Sequence, residues 1–132
     1  MRYMLDTNVV SQLIRKHPAV VSRVTTAPMA ALCISAVTEG ELLFGLAKRP
    51  AATQLHAAVT EFLKRVDVLP WDSSAAESYG ALRASMETQG KPLAALDMLI
   101  GAHAASLGAV LVTNDQAFQQ INDLRVEDWM VG

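Results

Sequence analysis

The chain has 132 residues, a formal net charge of −2 and one cysteine. A chain of this length is expected to form one domain with a substantial core, here residues 1–132. The single cysteine, Cys33, excludes an internal disulfide, and the apolar stretch around it predicts a buried side chain rather than a nucleophile. The charge gives no indication of a strongly basic nucleic-acid-binding protein.

Strand and helix patterns alternate along the first half of the chain. The predicted elements are, in order, strand Arg2–Leu5, helix Thr7–Lys16, a short helix from Pro18 to about Arg23, strand Ala31–Ser35 and helix Ala36–Arg49. In the last of these helices, Val37, Leu42, Phe44 and Leu46 are interpreted as the apolar side.

The alternation continues in the second half. The pattern predicts helix Ala52–Val66, strand Asp67–Pro70, a helix capped by Asp72–Ser74 and stopped by Gly90, helix Pro92–Leu107, strand Ala109–Thr113, a helical turn over Asn114–Ile121 and a last short strand within Leu124–Trp129. This order is typical of βαβ units, so we predict an α/β fold with a mainly parallel central sheet.

The stretch Leu93–Val112 is long enough to span a bilayer. Asp97 and His103 lie well inside it, and an Asp at the centre of a membrane helix costs about 2.5–3.5 kcal/mol. We therefore interpret it as a buried helix, a glycine stop at Gly108 and a buried strand. No secretory signal is recognisable at the start of the chain, so the expected location is cytoplasmic.

Carboxylates follow the two clearest strands. Asp6 comes directly after Arg2–Leu5, and Asp115 comes shortly after Ala109–Thr113. Because the carboxyl ends of parallel strands meet at one edge of the sheet, these two acids are expected to lie close together. Asp97 stands in an apolar helix, where an unpaired carboxylate is costly; the alternative to a functional role is a partner such as a buried Arg or a helix cap.

The helix that follows the second strand offers a further acid, either Glu39 or Glu41. The two are about 200° apart around a helix and cannot share a face. Thr38 and Glu41 do share one. The following Leu42-Leu43, taken as the packing side, favours Glu41, but spacing alone leaves Glu39 open.

Converging carboxylates of this kind repel one another unless a divalent cation is present, and hard oxygen ligands suit Mg²⁺ or Mn²⁺. Such ions assist attack by water on a phosphodiester. His17, His56 and His103 lack the spacing of zinc ligands, and there is no phosphate-binding glycine loop. Ser35 or Ser73 would need a placed base to act as a nucleophile, and the sequence does not reveal one.

Four segments together resemble the successive motifs of PIN-domain ribonucleases, and more narrowly the VapC toxins of bacterial toxin–antitoxin pairs. They are "MLDTNVV", "ISAVTEGELLFG", "GKPLAALDMLIGAHAASLGAVLVTND" and "LRVEDW". The resemblance covers nearly the whole chain and implies a three-layer α/β/α fold. Residue by residue, it implies an acidic site of Asp6, Glu41, Asp97 and Asp115, with Thr7, Thr38 and Thr113 in support. The fourth acidic position varies in the family, so the resemblance supports Asp115 as a ligand less strongly than the other three acids.

The resemblance also implies an Mg²⁺- or Mn²⁺-dependent endoribonuclease that cuts structured RNA, typically a tRNA, with the initiator tRNA anticodon loop as the narrower expectation. The implied partners are a VapB antitoxin and a second copy of the toxin in a homodimer. The alternatives are a PIN-like binding module without catalysis and another metal-dependent phosphoryl hydrolase.

The net charge outside the proposed acidic site permits RNA binding. Removing the four proposed ligands from the thirteen acidic residues leaves nine, against eleven Lys plus Arg. The candidate phosphate contacts are Arg15-Lys16, Lys48-Arg49, Lys64-Arg65 and Lys91. The alternative for each pair is a solvated helix end.

Overall fold

Five parallel strands form the centre of the fold. The computed structural model describes residues 1–131, so Gly132, the last residue of the predicted domain, lies outside the described residues. The strands are β1 (Tyr3–Leu5), β2 (Leu32–Ser35), β3 (Asp67–Leu69), β4 (Val110–Val112) and β5 (Val126–Glu127). Their order across the sheet is β3-β2-β1-β4-β5, and every neighbouring pair is parallel. The α/β class with a parallel sheet is confirmed.

Six α-helices connect and cover the strands. They are α1 (Thr7–Ile14), α2 (Pro18–Thr26), α3 (Ala36–Ala47), α4 (Thr53–Arg65), α5 (Ser73–Thr88) and α6 (Ala95–Leu107). Two short 3₁₀ segments, Met29–Ala31 and Gln116–Gln120, precede β2 and follow β4. The helical turn predicted after Asn114 is therefore a 3₁₀ segment.

Alternation along the strands builds two cores, one on each face of the sheet. Leu32 and Ile34 point into one core, which α1, α2, α3 and α4 cover. The intervening Cys33 points into the other, which α5 and α6 cover. The result is the three-layer arrangement, with Cys33 fully buried as expected.

The apolar stretch Leu93–Val112 forms a helix, a stop and a strand. Gly108 ends α6 with φ of 62°, a left-handed conformation that glycine adopts without steric cost. Helix α6 begins at Ala95 rather than Pro92, which puts Asp97 in its first turn. Within residues 1–131, no helix is both long enough and apolar enough to cross a membrane.

Two assignments in α3 are wrong. Phe44, predicted to belong to the apolar side, is 63% exposed, and Leu43, taken with Leu42 as the packing side, is 49% exposed. Leu42 and Leu46 are the residues that enter the core. Phe44 lies two positions from each of them, about 200° around the helix, and so points away from the sheet.

Candidate active site

The carboxyl ends of the adjacent strands β1 and β4 hold Asp6 in place. Thr113, the residue after β4, donates its hydroxyl hydrogen bond to Asp6 Oδ2 at 2.8 Å. The other oxygen, Oδ1, accepts from the backbone N–H of Thr7 at 2.7 Å, so Asp6 also caps α1. Both Asp6 and Thr113 are buried. The parallel pairing of β1 with β4 thus fixes the orientation of this carboxylate.

Helix α3 begins immediately after β2 and brings Glu41 to the same edge of the sheet. The Thr7 hydroxyl donates to Glu41 Oε1 at 2.7 Å, and the buried Thr38 hydroxyl lies 3.2 Å from the Thr7 oxygen. Glu41 lines the pocket at this edge, whereas Glu39 is not among the residues that line it. The structure therefore places Glu41, and not Glu39, beside Asp6.

Asp97 and Asp115 complete the acidic group. Asp97 lies half-buried in the first turn of α6, and no side-chain hydrogen bond reaches its carboxylate from elsewhere in residues 1–131. Asp115 is exposed and caps the 3₁₀ segment, its Oδ1 accepting from the N–H of Ala117 at 2.9 Å. Its own N–H donates to the Thr113 hydroxyl oxygen at 3.1 Å. Thr113 thus connects two of the four acids.

Two of the four carboxylates, those of Asp6 and Asp97, have a raised pKa. Burial is the main cause that raises the pKa of Asp97 from its ordinary 3.8 to about 6, and repulsion by Asp6, Asp115 and Glu41 adds to it. Burial also raises the pKa of Asp6, while the hydrogen bonds from Thr113 and Thr7 act in the opposite direction. The ion pairs within residues 1–131 include none of these four acids. Their charge is left without a basic partner.

An open pocket of about 440 Å³ lies between these side chains. As placed, no three His, Cys, Asp or Glu side chains in residues 1–131 are close enough to enclose one metal ion. The acids surround the pocket rather than meet at one point.

Three polar residues at the pocket were not predicted as site residues. Asn8 donates from Nδ2 to Asn114 Oδ1 at 2.7 Å, which joins the segments that follow β1 and β4. Ser11 lies one helical turn beyond Thr7 and also lines the pocket. The signals were present in the sequence, because Asn8 and Asn114 stand in "DTN" and "TND", and Ser11 follows Thr7 at helical spacing.

A base for Ser35, which the sequence did not reveal, is present in the structure. His103 Nδ1 lies 2.8 Å from Ser35 Oγ, and both residues are buried. Ser35 also caps α3 by accepting from the N–H of Val37. Burial lowers the pKa of His103. A fully enclosed pair cannot meet a substrate, so this contact joins α3 to α6 and is not a nucleophile with its base.

The order of these elements and their polar ends matches a known family along most of the chain. The PIN domain model matches residues 3–124. This chain belongs to the PIN-domain family. The family resemblance of the sequence motifs is thereby confirmed.

Named PIN-domain relatives cover nearly the whole chain. The "tRNA(fMet)-specific endonuclease VapC" of Shigella flexneri is 37% identical over 130 residues, with 98% of each chain covered. "Ribonuclease VapC2" of Haemophilus influenzae is 32% identical, with 98% of this chain and 99% of the relative covered. The chain is therefore similar to the VapC branch of the PIN-domain family, and the predicted ribonuclease class of enzyme is confirmed.

A solved structure shares the PIN-domain fold at similar coverage. It is described as the crystal structure of DNA-bound VapBC from Salmonella typhimurium, and its matching chain has a TM-score of 0.91 and 36% identity, with 98% of both chains covered. The three-layer fold predicted from the sequence is confirmed by this likeness.

Proposed function

We propose that this PIN-domain protein is the toxin of a VapBC-type toxin–antitoxin pair, an Mg²⁺- or Mn²⁺-dependent endoribonuclease that cuts a tRNA and so stops translation. The observation that carries the proposal is the group of four carboxylates around one open pocket, without a basic partner in residues 1–131. Two of the relatives are named for the initiator tRNA, which makes that tRNA the first substrate to test.

The donor set fits a hard divalent cation. Mg²⁺ is commonly held by one or two carboxylates and completed by waters and substrate phosphate oxygens, so it does not require three enclosing side chains. Asp6 and Asp97 are the proposed principal ligands, with Glu41 and Asp115 around them. Burial, followed by repulsion from the other three acids, raises the pKa of Asp97, and a bound cation would act in the opposite direction. A bound cation would neutralise this charge and supply Lewis-acid chemistry for hydrolysis of a phosphodiester.

The neighbouring hydroxyls orient the carboxylates. Thr113 and the N–H of Thr7 each donate a hydrogen bond to one oxygen of Asp6. These two contacts fix the orientation of the carboxylate and therefore the direction of its remaining lone pairs. Thr7 holds Glu41 through its hydroxyl. Such outer contacts keep ligand oxygens in place before the substrate arrives.

Two protein partners are part of the proposal. The structural neighbours from Rickettsia felis and Salmonella typhimurium are VapBC complexes, so we expect a VapB-type antitoxin. A carboxylate-lined pocket suits an antitoxin that inserts an Arg, which binds carboxylates through two parallel hydrogen bonds. The exposed Leu43 and Phe44 on α3 support the expected homodimer, because apolar side chains of this size favour burial against a second copy.

The test is cleavage of a tRNA pool by purified protein, with the RNA ends sequenced. Asp6→Asn and Asp97→Asn should each lower the rate about 100-fold or more, because each removes a charge proposed to bind the metal. Asp67→Asn is the matched control, because Asp67 lies at the start of β3, at the opposite edge of the sheet from the acidic pocket. Chelation should abolish cleavage, and Mg²⁺ or Mn²⁺ should restore it.

Two results would overturn the proposal. One is RNA cleavage that survives both Asp→Asn changes in the presence of chelator. The other is turnover of a small phosphate ester without cleavage of any RNA, which is the behaviour of a different phosphoryl hydrolase. The sequenced ends name the RNA and the position of the cut in the same experiment.

A further inference from the structure

A second groove continues from the acidic pocket between α1 and α3. Thr7, Ser11 and Glu41 line both the pocket and this groove, which has a volume of about 220 Å³. Its far side is lined by basic residues at the carboxyl ends of the two helices. Arg15 is the residue after α1, and Lys48 and Arg49 follow α3. The acidic pocket therefore has a positively charged rim on one side.

The rim cations differ from most other basic residues in having no acidic partner. Of the eleven Lys and Arg residues, five form ion pairs within residues 1–131, namely Arg2, Arg23, Lys64, Arg65 and Arg83. Of the remaining six, three line this one groove. Lys64 and Arg65 share Glu61 on α4 and so have part of their charge already neutralised. Lys64 and Arg65 therefore differ from the three groove cations, which have no ion pair within residues 1–131.

The rim cations are also exposed. Arg15, Lys48 and Arg49 have solvent-facing side chains, and the Lys48 ammonium rests 4.7 Å from the centre of the exposed Phe44 ring. A cation in this position is accessible to solvent, as a contact to a phosphate oxygen requires. The groove joins such cations directly to the pocket where a phosphodiester would be cut.

We propose that Arg15, Lys48 and Arg49 bind phosphates of the RNA strand beside the scissile bond, so that the substrate crosses the site along the α1–α3 groove. This inference rests on the proposed ribonuclease function and adds the path of the strand. Positive charge supplies most of the sequence-independent affinity for a nucleic acid, and each phosphate contact adds to the salt dependence of binding. Because the chain as a whole has a net negative charge, RNA binding at this site requires a local group of cations such as this rim.

The experiment compares Arg15→Gln, Lys48→Gln, Arg49→Gln and the triple variant with the Lys64→Gln/Arg65→Gln double variant. RNA cleavage is measured at several salt concentrations with Mg²⁺ in excess. Each rim substitution should raise KM several-fold and reduce the slope of log KM against log salt by about 0.7. The kcat and the Mg²⁺ concentration for half-maximal rate should not change. The α4 double variant should behave as wild type.

The outcomes separate this inference from the proposed function. If wild type cleaves RNA and the triple variant keeps its KM and salt slope, the groove does not bind the substrate and the inference is wrong. If the triple variant keeps both but escapes inhibition by a VapB-type antitoxin, the groove is a protein-binding surface, which also overturns it. If wild type cleaves no RNA, the proposed function itself fails.

Discussion

The amino and carboxyl ends of the strands in the parallel sheet differ in whether their charged side chains form ion pairs. At the amino ends of the strands, Arg2 donates to Asp67 at 2.7 Å, so each charge has its partner. At the carboxyl ends, Asp6, Glu41, Asp97 and Asp115 share a pocket and have hydroxyl or backbone contacts at most. The Arg2–Asp67 pair is thus neutralised within the chain, whereas none of the four acids at the carboxyl ends forms an ion pair within residues 1–131.

The difference separates charges that the folded chain satisfies from charges that require a ligand. A paired surface charge is already neutralised by its partner. The pKa of Asp97 is raised first by burial and then by repulsion from the other acids at the carboxyl ends, which no cation in residues 1–131 offsets. Helix ends reduce the cost, since Asp6 caps α1 and Asp97 lies in the first turn of α6, where the helix dipole favours an anion.

Outside the four acids themselves, the largest effect is expected at Thr113, which donates to Asp6 and accepts from the N–H of Asp115. Thr113→Val removes both contacts while keeping the shape of the side chain. Loss of such an outer contact typically costs about 10–100-fold in metal affinity or activity. Mg²⁺ titration of cleavage checks this. Thr25→Val is the control, because Thr25 bonds only to a carbonyl of its own helix. Equal activity of the two variants would show that Thr113 does not position Asp6.

A smaller effect is expected from the ionisation of Asp97 on the free energy of unfolding. Its pKa is about 6 in the folded protein against an ordinary 3.8, so the folded state binds more protons than the unfolded state between these values. Stability without metal should therefore fall as pH rises through that window and stay lower above it. Asp97→Asn mimics the protonated acid and should remove this part of the pH dependence.

Thermal unfolding in chelator, near pH 4.5 and near pH 7, checks the Asp97 prediction. The variant should gain stability over wild type near pH 7 and little near pH 4.5. Added Mg²⁺ should stabilise wild type more than the variant, since the cation binds the folded state. An unchanged pH dependence in Asp97→Asn would mean that ionisation of Asp97 does not lower the free energy of unfolding.

The smallest effect belongs to the paired end of the sheet. The side chains of Arg2 and Asp67 are 38% and 55% exposed, and an exposed pair of this kind contributes about 0.2–1 kcal/mol to the free energy of unfolding. A double-mutant cycle with Arg2→Gln and Asp67→Asn, followed by chemical denaturation, measures it. Neither change should alter RNA cleavage. A coupling energy well above this range would contradict the view that this end is only an ordinary surface.

The local sequence was sufficient for most of the secondary structure and for the placement of Asp6. Strand patterns are short and strongly apolar, and Asp6 follows one of them directly, so its position depends on only a few neighbouring residues. Gly108 stopped α6 where its freedom at positive φ predicted. The choice of Glu41 over Glu39 needed either the family motif or the fold, because both residues satisfy the same helical pattern.

Contacts between distant segments were decided by the tertiary structure alone. Ser35 meets His103 across 68 positions of sequence, and Asn8 meets Asn114 across 106. Phe44 was assigned to the core from hydrophobicity, but the rotation of α3 turned it to solvent.

By itself, the sequence of this protein determined a parallel α/β chain with acids at its strand ends, because those features arise from residues a few positions apart. Only the folded chain decided which cations line the groove beside the acids, and that Arg2 pairs with Asp67 and Arg23 with Glu127. The pairs of Lys64 and Arg65 with Glu61 are local instead, because these residues stand three and four positions apart on α4. Pairing between distant segments depends on which side chains the packing of helices and strands brings within a few ångströms, and no periodic pattern contains that information.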